Sequence, residues 1–399
     1  MNPPVTLKRV ARIVAGQSPS SADVEPLSVG LPFIQGNAEF GSNGPNPIWE
    51  CVDPPKRAIA GDVLVSVRAP VGAVTVADRD YGIGRGLNAV RAEKIDPTYL
   101  IWLLRNSTGY LNSIATGSTF AAITSSDVAS VGVPNTLLDE QLQIAEYMDR
   151  ETGKIDELIT KQEQLVELLG ARRQAVVDSA TWRGVHGAQV SDSGVEPAGD
   201  SPAHWARVRN KNLFRERTGL SDSGTEELLT VSHITGVTPR SEKNVTMTEA
   251  VSLSGYKVVE ISDLVINTLW GWMGALGTSQ YRGIVSPAYG VYAPHGDLEF
   301  DPRYFGFLYR SSAYVAEIGR HSKGLWSSRL RIYPDSFLAL RAVVPPLEEQ
   351  REIVRHIDEA TAVIDALRLK ASELADALRE RCAALISAAV TGKIDVRGL

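Results

Sequence analysis

Residues 139–180 and 348–389 align without a gap at a constant offset of 209, and 14 of the 42 aligned pairs are identical. Chance would give about two or three such pairs from average residue usage. The identities include Glu140/Glu349, Gln141/Gln350, Ile144/Ile353, Asp149/Asp358, Ile155/Ile364, Asp156/Asp365 and Leu169/Leu378. This is an internal duplication, so each half of the 399-residue chain must fold in the same way. The segments ahead of the repeats correspond more loosely, IDPTYLIWLLRNS (95–107) with FDPRYFGFLYRSS (300–312) and GDVLVSVRAPVGA (61–73) with SDLVINTLWGWMGA (262–275).

Both repeats carry helical periodicity. In the first, Ile155, Ile159, Gln162, Val166, Leu169, Arg173 and Val176 recur at alternating steps of four and three, the spacing of a coiled-coil seam. The second has Ile357, Thr361, Ile364, Leu367, Ala371, Leu374, Leu378, Cys382, Leu385 and Ala389 as its apolar stripe. A lone helix of this kind exposes a long apolar strip, and each copy is the natural partner of the other. Packing of each helix on its own domain is the competing expectation. About 40 residues at ~1.5 Å rise give a rod of roughly 60 Å.

The globular parts mix short strand signals such as DVLVSV (62–67) and DLVINT (263–268) with one clear helix each. Those helices start alike, with Asp96 or Asp301 as N-cap and Pro97 or Pro302 in the first turn, where a missing N–H costs nothing. The expected fold class is α+β: two mixed α/β units separated by two long helices, with pseudo-twofold symmetry. The expected boundaries are 1–138 and 205–346 for the globular units, 139–185 and 347–399 for the helical regions, and 186–204 for a Gly/Ser/Pro/Asp-rich linker.

The net charge of −6 speaks against a uniformly basic nucleic-acid binder. Yet both globular segments are neutral, and the deficit lies in the helical ones, −4 over 139–185 and −2 over 347–399. Composition is that of a folded protein, with 43% hydrophobic and 22% charged residues. No run approaches a membrane span, and the opening residues lack the apolar core of a signal peptide, so a cytoplasmic location is expected. Two cysteines, Cys51 and Cys382, make neither a disulfide framework nor a four-ligand zinc site.

Enzyme-like fragments are weak. Asn46-Pro-Ile-Trp49 and Ser286-Pro-Ala-Tyr289 lack the second proline of an amino-methyltransferase motif, and Gly82-Ile-Gly-Arg-Gly86 lacks a Walker lysine and a following long helix. The six histidines fit no metal or hydrolase spacing. What stands out instead is arginine, lysine and tryptophan in loop-like segments. Arg68, Arg79, Arg85 and Arg91 surround the glycine run; Arg207, Arg209, Lys211, Arg215 and Arg217 crowd one short segment; Lys323, Trp326, Arg329 and Arg331 crowd another. Arginine grips phosphate or reads guanine with paired hydrogen bonds. For any one of them a solvated or ion-paired role is the competing reading, and recurrence in both halves favours binding.

VVPPLEEQREIVRHID (343–358), its looser copy VGVPNTLLDEQLQIAEYMD (131–149) and the ending AAVTGKIDVRGL together resemble the DNA-specificity subunit of type I restriction-modification systems. The first copy departs from the pattern by two extra residues after Pro134 and by WRGV in place of a TGKI-like end. The resemblance implies two target-recognition domains, each reading half of a bipartite, asymmetric double-stranded DNA site, and an antiparallel coiled coil acting as a ruler. It further implies docking of two methyltransferase (modification) subunits and of restriction/translocase subunits, which use S-adenosylmethionine, ATP and Mg. The chain itself is expected to hold no cofactor or metal and to be non-catalytic. On loop position and chemistry, the candidate DNA contacts are Arg68, Arg85, Gly117, Ser118 and Thr119 in the first unit, and Trp270, Trp272, Arg282, Lys323, Arg329 and Arg331 in the second. Alternative readings are a coiled-coil scaffold with two protein-recognition heads, a self-contained enzyme, and the same kind of subunit in a methylation-only or phage-defence complex.

Overall fold

The computed structural model describes residues 5–41, 44–117, 121–242, 252–296, 299–324 and 330–396. By contacts the chain divides into two units, 1–163 with 372–399, and 164–371. The helices are α1 (Pro97–Asn106), α2 (Thr108–Ile114), α3 (Ser125–Ala129), α4 (Leu138–Arg183), α5 (Pro302–Arg310), α6 (Ser312–His321), α7 (Pro334–Ala339) and α8 (Leu347–Val390).

In the first unit an antiparallel four-stranded sheet runs in the order Val74–Val76, Val63–Ser66, Leu87–Ala92, Ala11–Ala15. The strands of a five-stranded sheet are interleaved with these along the chain, with Pro32–Ile34 and Tyr81–Ile83 as parallel neighbours. The second unit repeats the four-stranded sheet with the same order of equivalents: Leu276–Thr278, Leu264–Ile266, Gly290–Pro294, Phe214–Glu216. The expected helix starts are present. Asp96 accepts the N–H of Tyr99 at 2.8 Å, and Asp301 those of Arg303 and Tyr304 at 2.9 and 3.2 Å.

Each unit contains a stretch of both long helices. In the first, Ile144, Ala145 and Met148 of α4 share a core with Ala389 and Val390 of α8 and with Tyr99, Leu100 and Leu103 of α1. Farther along, Glu163 pairs with Arg379 at 2.5 Å, so the helices run antiparallel there. In the second unit Val177 and Trp182 share a core with Ile353 and Ile357, while Arg173 pairs with Asp365 at 3.0 Å, again antiparallel. The Tyr99 hydroxyl donates to the Val390 carbonyl at 3.2 Å, and its counterpart Tyr304 donates to the Thr181 carbonyl at 3.3 Å. Each globular part is thus tied to the far end of the other copy's helix, and coiled-coil pairing and docking onto a domain occur together.

Most of the expected seam is the least exposed stripe: Ile155, Leu169, Ile357 and Ile364 are buried, and Ile159, Val166, Val176, Leu378, Leu385 and Cys382 are partly so. Leu367 and Leu374 do not belong to it, each being 48% exposed. The four-three alternation from Ile364 passes through Arg368, Ala371 and Ala375 instead. Arg368 lies across Gly170 of α4: a Cβ there would stand 3.9 Å from the guanidinium, at ordinary contact distance.

The 186–204 segment is folded rather than a free linker. Val190–Asp192 pairs antiparallel with Asp200–Pro202, Ser193 and Ser201 are buried, and Val195 enters the core of the second unit. Its polar composition conceals this, because Ser193 satisfies itself locally by donating to the Val195 carbonyl at 3.1 Å.

Candidate nucleic-acid interface

In each unit two loops are bound together in the same way. In the first, the loop after strand Val63–Ser66 meets the turn between α2 and α3: Ile123 N–H donates to Val67 O at 2.9 Å and Ala69 N–H to Ala121 O at 3.0 Å. The turn is closed by Thr116 and Ala122, which exchange backbone hydrogen bonds at 3.0 and 2.9 Å. In the second, the loop after Leu264–Ile266 meets the turn between α6 and α7. Ile332 N–H donates to Thr268 O at 3.1 Å, and Lys323 and Arg331 exchange backbone bonds at 2.9 Å each.

This frame brings together several candidates. Arg68 sits exposed on the first loop, its carbonyl held by the Ser66 hydroxyl at 2.7 Å. Arg85 is exposed on a third turn, joined to the frame by the Val67 N–H bond to Gly86 O at 2.9 Å. Gly117 takes a φ of +113° in the closed turn, a conformation that favours glycine. Ser118 and Thr119, which follow it, lie outside the described residues, as do Trp326 and Arg329. In the second unit Trp270 is half exposed, Lys323 is exposed and Arg331 is partly exposed. Trp272 is partly buried and donates its indole N–H to Leu269 O at 3.0 Å, which fixes the shape of the loop.

Arg282 lies outside the loop pair, beside strand Gly283–Val285, where it pairs with Glu260 at 3.0 Å. Four other arginines noted in the sequence have partners within the fold. Arg91 grips the buried Asp62 with two bonds of 2.8 Å, and Arg217 grips the buried Asp263 at 2.6 and 2.8 Å. Arg207 donates to the carbonyls of Asp192 and Trp205 at 2.6 and 2.9 Å, and Arg79 stacks on Tyr81. Arg209, Lys211 and Arg215 remain exposed.

The glycine run is explained by packing rather than by a ligand. A Cβ on Gly86 would lie 2.4 Å from Gln35 O, and one on Gly16 would lie 2.1 Å from Gly84 O. Leu269 and Met273, both 37% exposed, also stand on the second loop. The sequence pointed past them because a lone aliphatic residue carries no chemical signature. The backbone bonds put Leu269 in the place of Arg68, each following the loop residue, Thr268 or Val67, whose carbonyl accepts the turn's N–H, so one frame presents different side chains in the two units.

Among the described residues, no group of three or more His, Cys, Asp or Glu side chains is arranged to hold a metal ion, and no helix is long and apolar enough to cross a membrane.

Residues 5–168 match the type I restriction modification DNA specificity domain. A putative type I restriction enzyme specificity subunit, MjaX, of Methanocaldococcus jannaschii is 38% identical over 150 residues, which span 37% of this chain and 34% of that protein. The alignment thus spans about a third of the curated relative's length. Among solved structures, a chain from work on complex assembly and conformational transition of the type I R-M system superposes with a TM-score of 0.71 at 18% identity, covering 98% of this chain and 97% of that one. The HsdS subunit of Thermoanaerobacter tengcongensis superposes with a TM-score of 0.51 at 18% identity, covering 98% and 96%. Residues 5–168 are thus similar to the type I restriction modification DNA specificity domain, and the chain as a whole shares the fold of these two solved chains.

Proposed function

We propose that the chain is the DNA-recognition subunit of a type I restriction-modification complex, reading a bipartite, asymmetric site in cytoplasmic double-stranded DNA with one loop pair per half-site. The observation that carries this reading is the repeated loop frame with non-equivalent side chains, since identical frames bearing different residues suit two different half-sequences. Exposed Arg68 and Arg85 in one unit, and Trp270, Lys323 and Arg331 in the other, supply the groups that reach phosphates and base edges. Arg329, Ser118 and Thr119 belong to the same proposal by position in sequence.

The paired helices serve as spacer between half-sites. Their outer faces, which carry Leu158, Leu168, Leu367 and Leu374, take two methyltransferase subunits, with restriction/translocase subunits joining the assembly. S-adenosylmethionine, ATP and Mg act in those partners, and this chain contributes specificity without catalysis. Adenine-methylation mapping in the source strain, with and without the gene, tests the reading. Loss of one bipartite asymmetric motif on deletion is expected, and an unchanged methylome overturns it.

A further inference from the structure

The second unit holds a cavity of about 700 Å³ between α4, α8 and the recognition loop. Three guanidinium groups face it: Arg173 from α4, Arg368 from α8 and Arg310 from the end of α5. One carboxylate among the lining residues, Asp365, answers them, and Arg173 already occupies it with its Nε at 3.0 and 3.1 Å from the two oxygens. Arg368 reaches that carboxylate only at 3.8 Å. The neighbouring Asp178 accepts the Gln174 side-chain amide and the Ser312 N–H, each at 2.9 Å.

Arg310 is held in place by its own donations to the carbonyls of His233 and Ile234 at 3.0 and 2.7 Å. Its Nε and that of Arg368 are both buried without a hydrogen-bond partner. Burial, with Arg173 nearby, pulls the Arg310 pKa below its ordinary value. Buried donors and charges in folded proteins are normally paired. Three cations around a single shared carboxylate leave a deficit of negative charge in a space large enough for a ligand, with the apolar Phe307 and Met273 on its walls.

We propose that this cavity is an oxyanion site that takes a phosphate group, with Arg310 and Arg368 as its ligands and Arg173 as the third cation. Turning either guanidinium toward an anion in the cavity would give its unpartnered Nε–H an acceptor, and planar guanidinium matches phosphate geometry. The phosphate comes either from a free anion or from the backbone of a bound duplex. The free-anion source stands apart from the proposed DNA reading, whereas the duplex-backbone source rests on it.

The test measures thermal unfolding of the full chain in inorganic phosphate against sodium chloride of matched ionic strength. A ligand that binds only the native state raises the midpoint with concentration. A phosphate-specific rise is expected for the wild type, with binding roughly tenfold or more weaker in Arg368→Gln, the equivalent of one charge-assisted hydrogen bond. Arg368→Gln is the primary variant, since Arg310→Gln also loses the bonds to residues 233 and 234. No phosphate-specific rise, or an equal rise in Arg368→Gln, overturns the proposal. A duplex of arbitrary sequence separates the sources: competition by inorganic phosphate and a salt slope lowered by about one charge in Arg368→Gln mark a backbone phosphate, and an unchanged slope marks a free anion.

Discussion

Gln350 accepts the backbone N–H of Asp301 through its Oε1 at 2.9 Å. Gln141 does the same for Asp96, also at 2.9 Å. In each copy the glutamine of the Glu-Gln pair thereby fastens the start of a long helix to the N-cap of the globular unit's main helix. The other end of each amide closes the link, Gln350 Nε2 to Pro345 O at 2.9 Å and Gln141 Nε2 to Thr136 O at 3.1 Å. Both side chains are buried, so Gln350→Ala takes away the partner of the part-buried Asp301 N–H and of the buried Pro345 carbonyl and is expected to cost about 1–3 kcal/mol. Urea unfolding measures it, and a loss under about 0.5 kcal/mol, the range of an ordinary surface substitution, would show that the link carries no weight.

Arginines that face solvent and arginines that hold the fold should separate cleanly in mutagenesis. Arg91→Ala strands the Asp62 carboxylate, which is 1% exposed, and breaking a buried pair in this way costs about 3–5 kcal/mol. Arg68→Ala and Arg331→Ala touch no such pair and should leave the unfolding midpoint within the range of surface substitutions. They should instead weaken binding to the cognate duplex by about 1–3 kcal/mol if they read a base, or lower the salt slope by about one charge if they hold a phosphate. Duplex titrations at several salt concentrations, alongside thermal unfolding, distinguish the two groups. A stability loss from Arg68→Ala with unchanged DNA binding would remove it from the interface.

The duplication, the long helices and the capped helices at Pro97 and Pro302 were legible because each is written in local spacing or in the offset between two copies. Which arginines would face solvent was not, because the partners of Arg91 and Arg217 lie 29 and 46 residues away along the chain and are brought close only by sheet pairing. The seam register at Leu367 and Leu374 failed for a related reason. A leucine every seven residues fits either of two adjacent stripes, and the choice is made by packing against the other helix, where the small Ala371 and Ala375 are buried and Leu367 and Leu374 are not. The 190–202 hairpin escaped notice because its strands are three residues each, too short for an alternation to show.

That register carries a consequence for assembly. Leu367 and Leu374 face outward at 48% exposure each, so Leu367→Gln and Leu374→Gln should change the chain's own stability by no more than about 0.5 kcal/mol. If the outer helix faces take the methyltransferase subunits, the same changes should reduce co-purification and lengthen the time to full assembly. Ala371→Gln is the contrasting substitution, since Ala371 is buried in the seam and a larger polar side chain there should cost about 1–3 kcal/mol. Equal stability losses at Leu374 and Ala371 would mean that both leucines pack within the coiled coil.

The second unit should also fail in alkali before its backbone would otherwise demand it. Tyr309 donates to Asn210 Oδ1 at 2.8 Å, and Asn210 returns its amide to the Tyr314 oxygen at 2.8 Å, all three residues being buried. Burial pushes the phenols of Tyr304, Tyr309 and Tyr314 well above the ordinary tyrosine value near 10. The native state therefore keeps protons that the unfolded chain gives up. Stability is fully present below about pH 10 and falls as pH rises from there toward the folded-state values, by up to about 1.4 kcal/mol per pH unit for each such tyrosine. Tyrosinate absorbance should consequently appear together with loss of helical circular dichroism for these residues rather than ahead of it. Tyr309→Phe should weaken the dependence by one proton, and ionisation of Tyr304, Tyr309 or Tyr314 in a still-folded chain would contradict the burial of this group.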